Sequence, residues 1–316
     1  MPDIGRTSID IAAVNAEEMG IGITGKGMDG SAHRRFAKGI GGPVTPLVPV
    51  IDAERPELPG ADVHPVRRTI RYWLVRAAIW MATRALFRIE FVGRRHLPEE
   101  PAVYCFNHMN WVDPFVLMAV LPIQPRLYFF GPKEEEMSVG GRNRLMIWTG
   151  AAIPYEPAKS NLLEATRRTG QVFKAGGVLG IAAEGRIHAR ESDLLPLNEG
   201  AAYFAMRSGV PLVPVAIRGT SWLSFGGRVR VEVGEPVPVS GRPNREAVEA
   251  ATTATWQALH ELVADAPELP VPGRFGRWLT ELFNEWPEGS REATLAATVG
   301  GRIPLAPVPD PGGIDG

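Results

Sequence analysis

Apolar positions at Ile70, Trp73, Leu74, Ala77 and Met81 recur with helical spacing, and they predict a helix over 66–88. Past that point the pattern changes to short apolar runs bounded by Gly, Pro and polar residues. These predict strands at 89–92, 102–106, 127–130, 151–154, 178–181, 212–217 and 228–233. Between them, helical spacing returns at 114–121, 134–139, 142–148, 161–175, 199–208 and 245–264. A last stripe, Phe275, Trp278, Leu279, Leu282, Phe283 and Trp286, has Arg274, Arg277, Glu281 and Glu285 off its line. Strands alternating with helices imply a layered α/β domain with a largely parallel central sheet flanked by helices. In such sheets, sites form where strands run out into loops.

The ends of the chain lack this order. Residues 1–62 are rich in Gly, Pro and small polar residues and read as a disordered leader. Gly25-Lys26-Gly27-Met28-Asp29-Gly30 matches a dinucleotide-type glycine pattern, but no strand precedes it and the motif needs one. The α/β domain is assigned to 63–265, with its N-terminal amphipathic helix at 66–88. The C-terminal amphipathic helix and a Gly/Pro-rich tail make up 266–316.

Charge adds one distinction. The net charge of −1 argues against nucleic acid as a partner, yet the stretch from Arg67 to Arg88 holds six arginines and no acid. A basic helix with tryptophans suits an anionic membrane surface. It equally suits a helix packed on the core with a solvated basic face. The C-terminal stripe has the same two readings. No window offers the roughly 18 to 20 apolar residues of a spanning helix, and the first twenty residues do not read as a signal peptide. The single cysteine, Cys105, excludes an internal disulfide and a zinc cluster, and it reads as a buried small hydrophobe.

The candidate chemistry lies in Asn107-His108-Met109-Asn110-Trp111-Val112-Asp113-Pro114, directly after the apolar run 102–106. A strand delivering His108 to a turn, with Asp113 opening the next helix, brings an imidazole and a carboxylate together. A carboxylate on one ring nitrogen fixes the tautomer and leaves the other nitrogen as a base. The spacing recurs at His188/Asp193 and His260/Asp265, so context singles out the first copy. His260 lies within a predicted helix, where residues five apart do not share a face.

Four blocks then follow in order: Asn-His-x4-Asp, Gly150 to Glu156, Gly180 to Arg186, and Gly209-Val210-Pro211-Leu212-Val213-Pro214-Val215. Over roughly 70–240 this order resembles the glycerophospholipid acyltransferase family, typified by lysophosphatidic acid acyltransferases. The resemblance implies that His108 is the general base, that Asp113 orients it, and that an acceptor hydroxyl attacks an acyl thioester without an acyl-enzyme. Backbone N–H groups near the helix start after Asp113 are candidates to hold the oxyanion. The family's Pro-Glu-Gly-x-Arg block appears here as Ala183-Glu184-Gly185-Arg186-Ile187. Asn107, Glu184, Gly185 and Arg186 are therefore expected at the substrate, with Gly185 allowing close approach and Arg186 clamping a phosphate. Pro214 is expected to line the acyl or acceptor channel.

The second block departs from the family. Where an arginine often holds the acceptor's phosphate, this chain has Glu156, with Lys159 and Arg144 as the nearby cations. A non-phosphorylated acceptor such as a glycolipid or lysolipid stays open. The resemblance implies acyl-CoA or acyl carrier protein as donor, a lipid acceptor, a peripheral position on the cytoplasmic face of the cell membrane, and no metal or bound cofactor. Two other readings fit the same residues: a non-catalytic lipid-binding relative, and a thioesterase that uses water as acceptor.

Overall fold

The computed structural model of the chain describes residues 65–131, 145–146, 148–153, 162–282 and 284. Helix α1 (Pro65–Leu86) leads into β1 (Phe87–Val92), and β2 (Val103–Phe106) is followed by α2 (Asp113–Val120). Next come β3 (Leu127–Phe130), β4 (Ala152–Ile153), α3 (Leu162–Lys174) and β5 (Val178–Ala182). Helix α4 (Gly200–Ser208), β6 (Leu212–Arg218), β7 (Gly227–Val233), α5 (Arg245–Val263) and α6 (Arg274–Glu281) complete the order. All seven predicted strands are present, within one or two residues of the expected bounds. The helices expected over 134–139 and 142–148 lie wholly or largely outside the described residues, as do the leader and Phe283 and Trp286.

The strands form one sheet in the order β1-β7-β6-β2-β5-β3-β4. Every pairing is parallel except β6 with β7. The central strand β2 is buried at all four positions, because helices cover both faces. Its residues divide by parity. Tyr104 and Phe106 face the layer that includes α1 and α2, with Val213, Val215 and Ile217 of β6 beside them. Val103 and Cys105 face α4 and α5, among Tyr203, Phe204, Leu212, Val248 and Leu259. The helix boundaries follow local chemistry. Asn244 caps α5 by accepting from Ala247 N at 2.8 Å, and α4 stops at Gly209, whose φ of 65° is left-handed.

Helix α1 docks through a face other than the stripe at Ile70, Trp73, Leu74, Ala77 and Met81. Tyr72, Val75, Arg76, Ile79 and Thr83 are buried, whereas Ile70, Trp73, Leu74 and Met81 are exposed. The helix therefore has two apolar stripes, and the more hydrophobic one points outward. Arg76 does not belong to the solvated basic face. Its guanidinium donates to Leu121 O at the C-terminal end of α2 and to Tyr72 OH, which suits the negative end of a helix. Helix α6 is similar. Gly276 and Thr280 face inward, and Thr280 Oγ1 accepts from Leu223 N at 2.8 Å. Phe275, Trp278 and Leu282 are exposed, so only Leu279 of the described stripe packs on the core.

Candidate active site

β2 ends at Phe106, and the chain turns through His108 into α2. Asp113 opens that helix with its side chain fully buried. Its Oδ2 accepts from His108 Nδ1 at 2.9 Å, from Met109 N at 2.8 Å and from Asn110 N at 2.8 Å. A carboxylate has no proton to give, so Nδ1 carries the hydrogen and Nε2 keeps its lone pair. The His108 side chain retains 20% of its exposure, against 0% for Asp113. The Phe106 ring meets the imidazole edge-on, with centroids 6.2 Å apart. The site thus offers one base nitrogen on a partly exposed ring, on the α1/α2 side of the sheet.

The backbone of His108 is gripped from both sides by the segment after β5. Buried Glu184 accepts from His108 N through Oε1 at 2.8 Å and from Leu195 N through Oε2 at 3.0 Å. His188 N donates back to His108 O at 3.1 Å. The His188 ring packs against the same carboxylate, with Nε2 3.1 Å from Glu184 Oε2 but off the line a hydrogen bond needs. Burial pulls the His188 pKa down; Glu184 more than offsets this, and the net shift is upward. Gly185 sits between these contacts with φ of 70°, where a Cβ would lie 2.5 Å from Asn198 Nδ2. The turn itself requires this glycine. Exposed Arg186 follows it in the turn.

The structure thus brings His108, Asp113 and Glu184 together, with Gly185 and Arg186 in the turn that follows Glu184, and it gives two expected substrate contacts other work. Asn107 is fully buried, and its amide completes the sheet: Oδ1 accepts from Ile217 N at 2.7 Å and Nδ2 donates to Ile217 O at 2.9 Å. It holds the end of β2 against β6. Pro214 lies inside β6, opposite Cys105, not at a strand end. Its parity points it to the α5 face, against Gly234 and Leu262 and away from His108. Its carbonyl faces β7 and accepts from Gly234 N at 2.9 Å, while its ring leaves no N–H to donate back. The Cys105 thiol is buried on that same face, and burial together with the Glu184 charge pushes its pKa far up. A thiolate nucleophile is therefore disfavoured.

The amides leading into the helix start are committed. Met109 and Asn110 donate to Asp113, Trp111 N to Asn284 Oδ1, Val112 N to Asn110 Oδ1 and Asp113 N to Asn110 O. Pro114 has no N–H. Glu156, Lys159 and Arg144 lie outside the described residues, as do Pro154 and Tyr155 of the second block.

Residues 88–218 match the family model described as Acyltransferase. This segment belongs to the glycerophospholipid acyltransferase family. The acyltransferase is 27% identical over 191 residues to a 1-acyl-sn-glycerol-3-phosphate acyltransferase of Bacillus subtilis, covering 55% of this chain and 87% of that protein. It is 31% identical over 173 residues to the human 1-acyl-sn-glycerol-3-phosphate acyltransferase beta, covering 49% of this chain and 57% of that one. The crystal structure of a 1-acyl-sn-glycerophosphate acyltransferase from Thermotoga maritima aligns with a TM-score of 0.47 at 19% identity, covering 65% of this chain and 86% of that chain.

Several parts of the candidate site and its surroundings escaped sequence reasoning. His188 carried a spacing signal toward Asp193, but it packs on Glu184, while Asp193 lies near Arg190 and accepts from Leu194 N. His260 stacks on Trp256, with centroids 4.8 Å apart. The tie from Trp111 to α6, through Asn284 Oδ1 and through Trp111 Nε1 to Leu279 O at 3.3 Å, joins positions about 170 residues apart and leaves no local signal.

Proposed function

We propose that this acyltransferase moves a fatty acyl group from acyl-CoA or acyl carrier protein to a hydroxyl of a glycerolipid-type acceptor, with His108 as general base. The observation that carries the reading is the fixed tautomer of His108. Nδ1–H is held on a fully buried carboxylate, and Nε2 belongs to a partly exposed ring. In the reaction, Nε2 takes the acceptor's O–H proton while the oxygen attacks the thioester carbonyl. The C–O bond forms, the tetrahedral oxyanion collapses and the C–S bond breaks. The leaving thiolate then takes the proton back from the imidazolium. Asp113 stabilises that imidazolium between the two transfers. Asn107 and Glu184 are positioning residues, because they fix the His108 backbone through the sheet and the β5 turn. Arg186 is an exposed cation in the turn between Glu184 and His188 and is assigned to the anionic part of a substrate.

Access to lipid comes, on this reading, from the outer faces of α1 and α6. Ile70, Trp73, Leu74 and Met81 stand exposed beside Arg67 and Arg71, and Phe275 and Trp278 beside Arg274 and Arg277. Tryptophans interleaved with arginines fit an anionic bilayer surface. Among the described residues no helix is long and apolar enough to cross a membrane. The attachment proposed through these two faces is peripheral, on the cytoplasmic leaflet. Thiol release from a long-chain acyl-CoA, measured with and without acceptors, tests the reading. Acceptor-dependent release lost in His108→Ala supports it, whereas acceptor-independent release lost in that variant identifies a thioesterase instead.

A further inference from the structure

β1 and β7 form one end of the sheet, and their two faces differ. Phe87, Val229, Val231 and Val233 face the α1 side and are buried. The alternate positions, Arg88, Glu90, Arg228, Arg230 and Glu232, face the other side, and Arg218 of β6 joins them through Glu232 at 2.8 Å. That face borders an open cavity of about 710 Å³, lined also by Ala266, Pro267 and Leu269 of the α5–α6 connection. Its size falls in the range of small-molecule sites. Five arginines line it: Arg84, Arg88, Arg218, Arg228 and Arg230.

The carboxylates there are already in use. Glu232 pairs with both Arg218 and Arg230, and Glu90 pairs with Arg230 at 3.0 Å. Glu191, in the cavity wall, accepts from Gly219 N, Ser221 N and Ser221 Oγ, at 2.6, 3.0 and 2.5 Å. Arg84, Arg88 and Arg228 therefore have no carboxylate partner among the described residues. Arg88 and Arg228 are also register partners on adjacent parallel strands, so two like charges stand side by side on one face. Both side chains are exposed, so the repulsion is modest, and an anion held between them relieves it. Guanidinium forks are the groups best matched to phosphate oxygens. The cavity opens at the same end of the sheet as the base: Arg218 follows Ile217, whose backbone is held by Asn107 immediately before His108.

We propose that this cavity binds a phosphate group, with Arg88 and Arg228 as its central pair and Arg84 and Arg218 beside them. The phosphate comes either from a nucleotide-bearing donor such as CoA or from a phospholipid headgroup. The test uses the full chain, Arg88→Gln/Arg228→Gln, and Arg228→Gln alone. Calorimetric titration with inorganic pyrophosphate is expected to show binding that weakens about tenfold or more in the double variant. In phosphate-free buffer the double variant is expected to melt no lower than the parent, because a repulsive pair has been removed. Arg-dependent preference for CoA over dephospho-CoA assigns the donor. Arg-dependent retention on phosphatidylglycerol vesicles, with both nucleotides bound alike, assigns a headgroup. Pyrophosphate binding equal in parent and double variant, or absent from the parent, overturns the proposal. Titrations repeated in His108→Ala keep the two readings separate: the anion site predicts unchanged binding there, and acyl transfer predicts lost turnover.

Discussion

Replacing Asp113 separates what its charge does from what its oxygen does. Asp113 Oδ2 accepts three hydrogen bonds, from His108 Nδ1, Met109 N and Asn110 N, and the residues on both backbone donors are fully buried. Hydrogen bonds to a charged group contribute roughly 1.5–3 kcal/mol each. In Asp113→Ala all three donors lose their partner together, a loss on the order of 4–9 kcal/mol, comparable with the whole stability of a domain. Asp113→Asn keeps an oxygen for the same donors and loses only the charge, which removes about half of that strength. Its new Nδ2 falls where Oδ1 is now buried without a partner, so no acceptor rewards it. The Ala variant is therefore expected to unfold at much lower urea than the Asn variant. The Asn variant is expected to stay folded, keep the His108 tautomer, and lose turnover because the imidazolium is no longer stabilised. Urea titration by circular dichroism and thiol release on the same preparations measure both. Equal midpoints for Ala and Asn, or parental turnover in Asn, would refute the reasoning.

Three further outcomes follow from other parts of the structure. The pKa of His188 is raised in the folded state, with Glu184 outweighing the opposing effect of burial. Its contribution to stability is therefore full below the unfolded value of about 6.5 and is lost as pH rises through the folded value; melting temperature against pH should decline less steeply above about 6.5 in His188→Gln, and parallel curves would remove His188 from the account. Trp73→Ser with Leu74→Ser, both on the exposed face of α1, should reduce flotation with phosphatidylglycerol vesicles while leaving the melting temperature unchanged; undiminished flotation excludes that face as the attachment. Gly185→Ala should destabilise by about 1–2 kcal/mol from the left-handed φ alone, with a further penalty because the added methyl meets Asn198; an unchanged urea midpoint contradicts the turn assigned to it.

The sheet was legible because each strand is either a continuous apolar run or an alternating one, and those patterns survive without tertiary context. The His108–Asp113 pair was legible for a related reason: a strand, a turn and a helix start are local events. What escaped depends on distance or on facing. Asn107 looks like a substrate contact beside a catalytic histidine, and only the approach of Ile217, 110 residues later, turns it into a sheet clamp. Pro214 sits in a block that resembles a channel wall, but strand parity places it under α5. Helix α1 has two apolar stripes, and periodicity alone does not say which one a core will take. Arg76, counted with the basic face, was claimed by the C-terminal end of α2. The arginine cavity left no motif, because its residues come from three strands and a helix end and meet only through register.

The most direct test of the central claim is thiol release from a long-chain acyl-CoA by the full chain and by His108→Ala, with lysophosphatidate, glycerol 3-phosphate and non-phosphorylated lysolipids or glycolipids as acceptors. The account predicts acceptor-dependent release that falls by a factor on the order of 10² to 10⁴ in His108→Ala, with the melting temperature preserved. Turnover in His108→Ala close to that of the parent would contradict the assignment of His108 as the base.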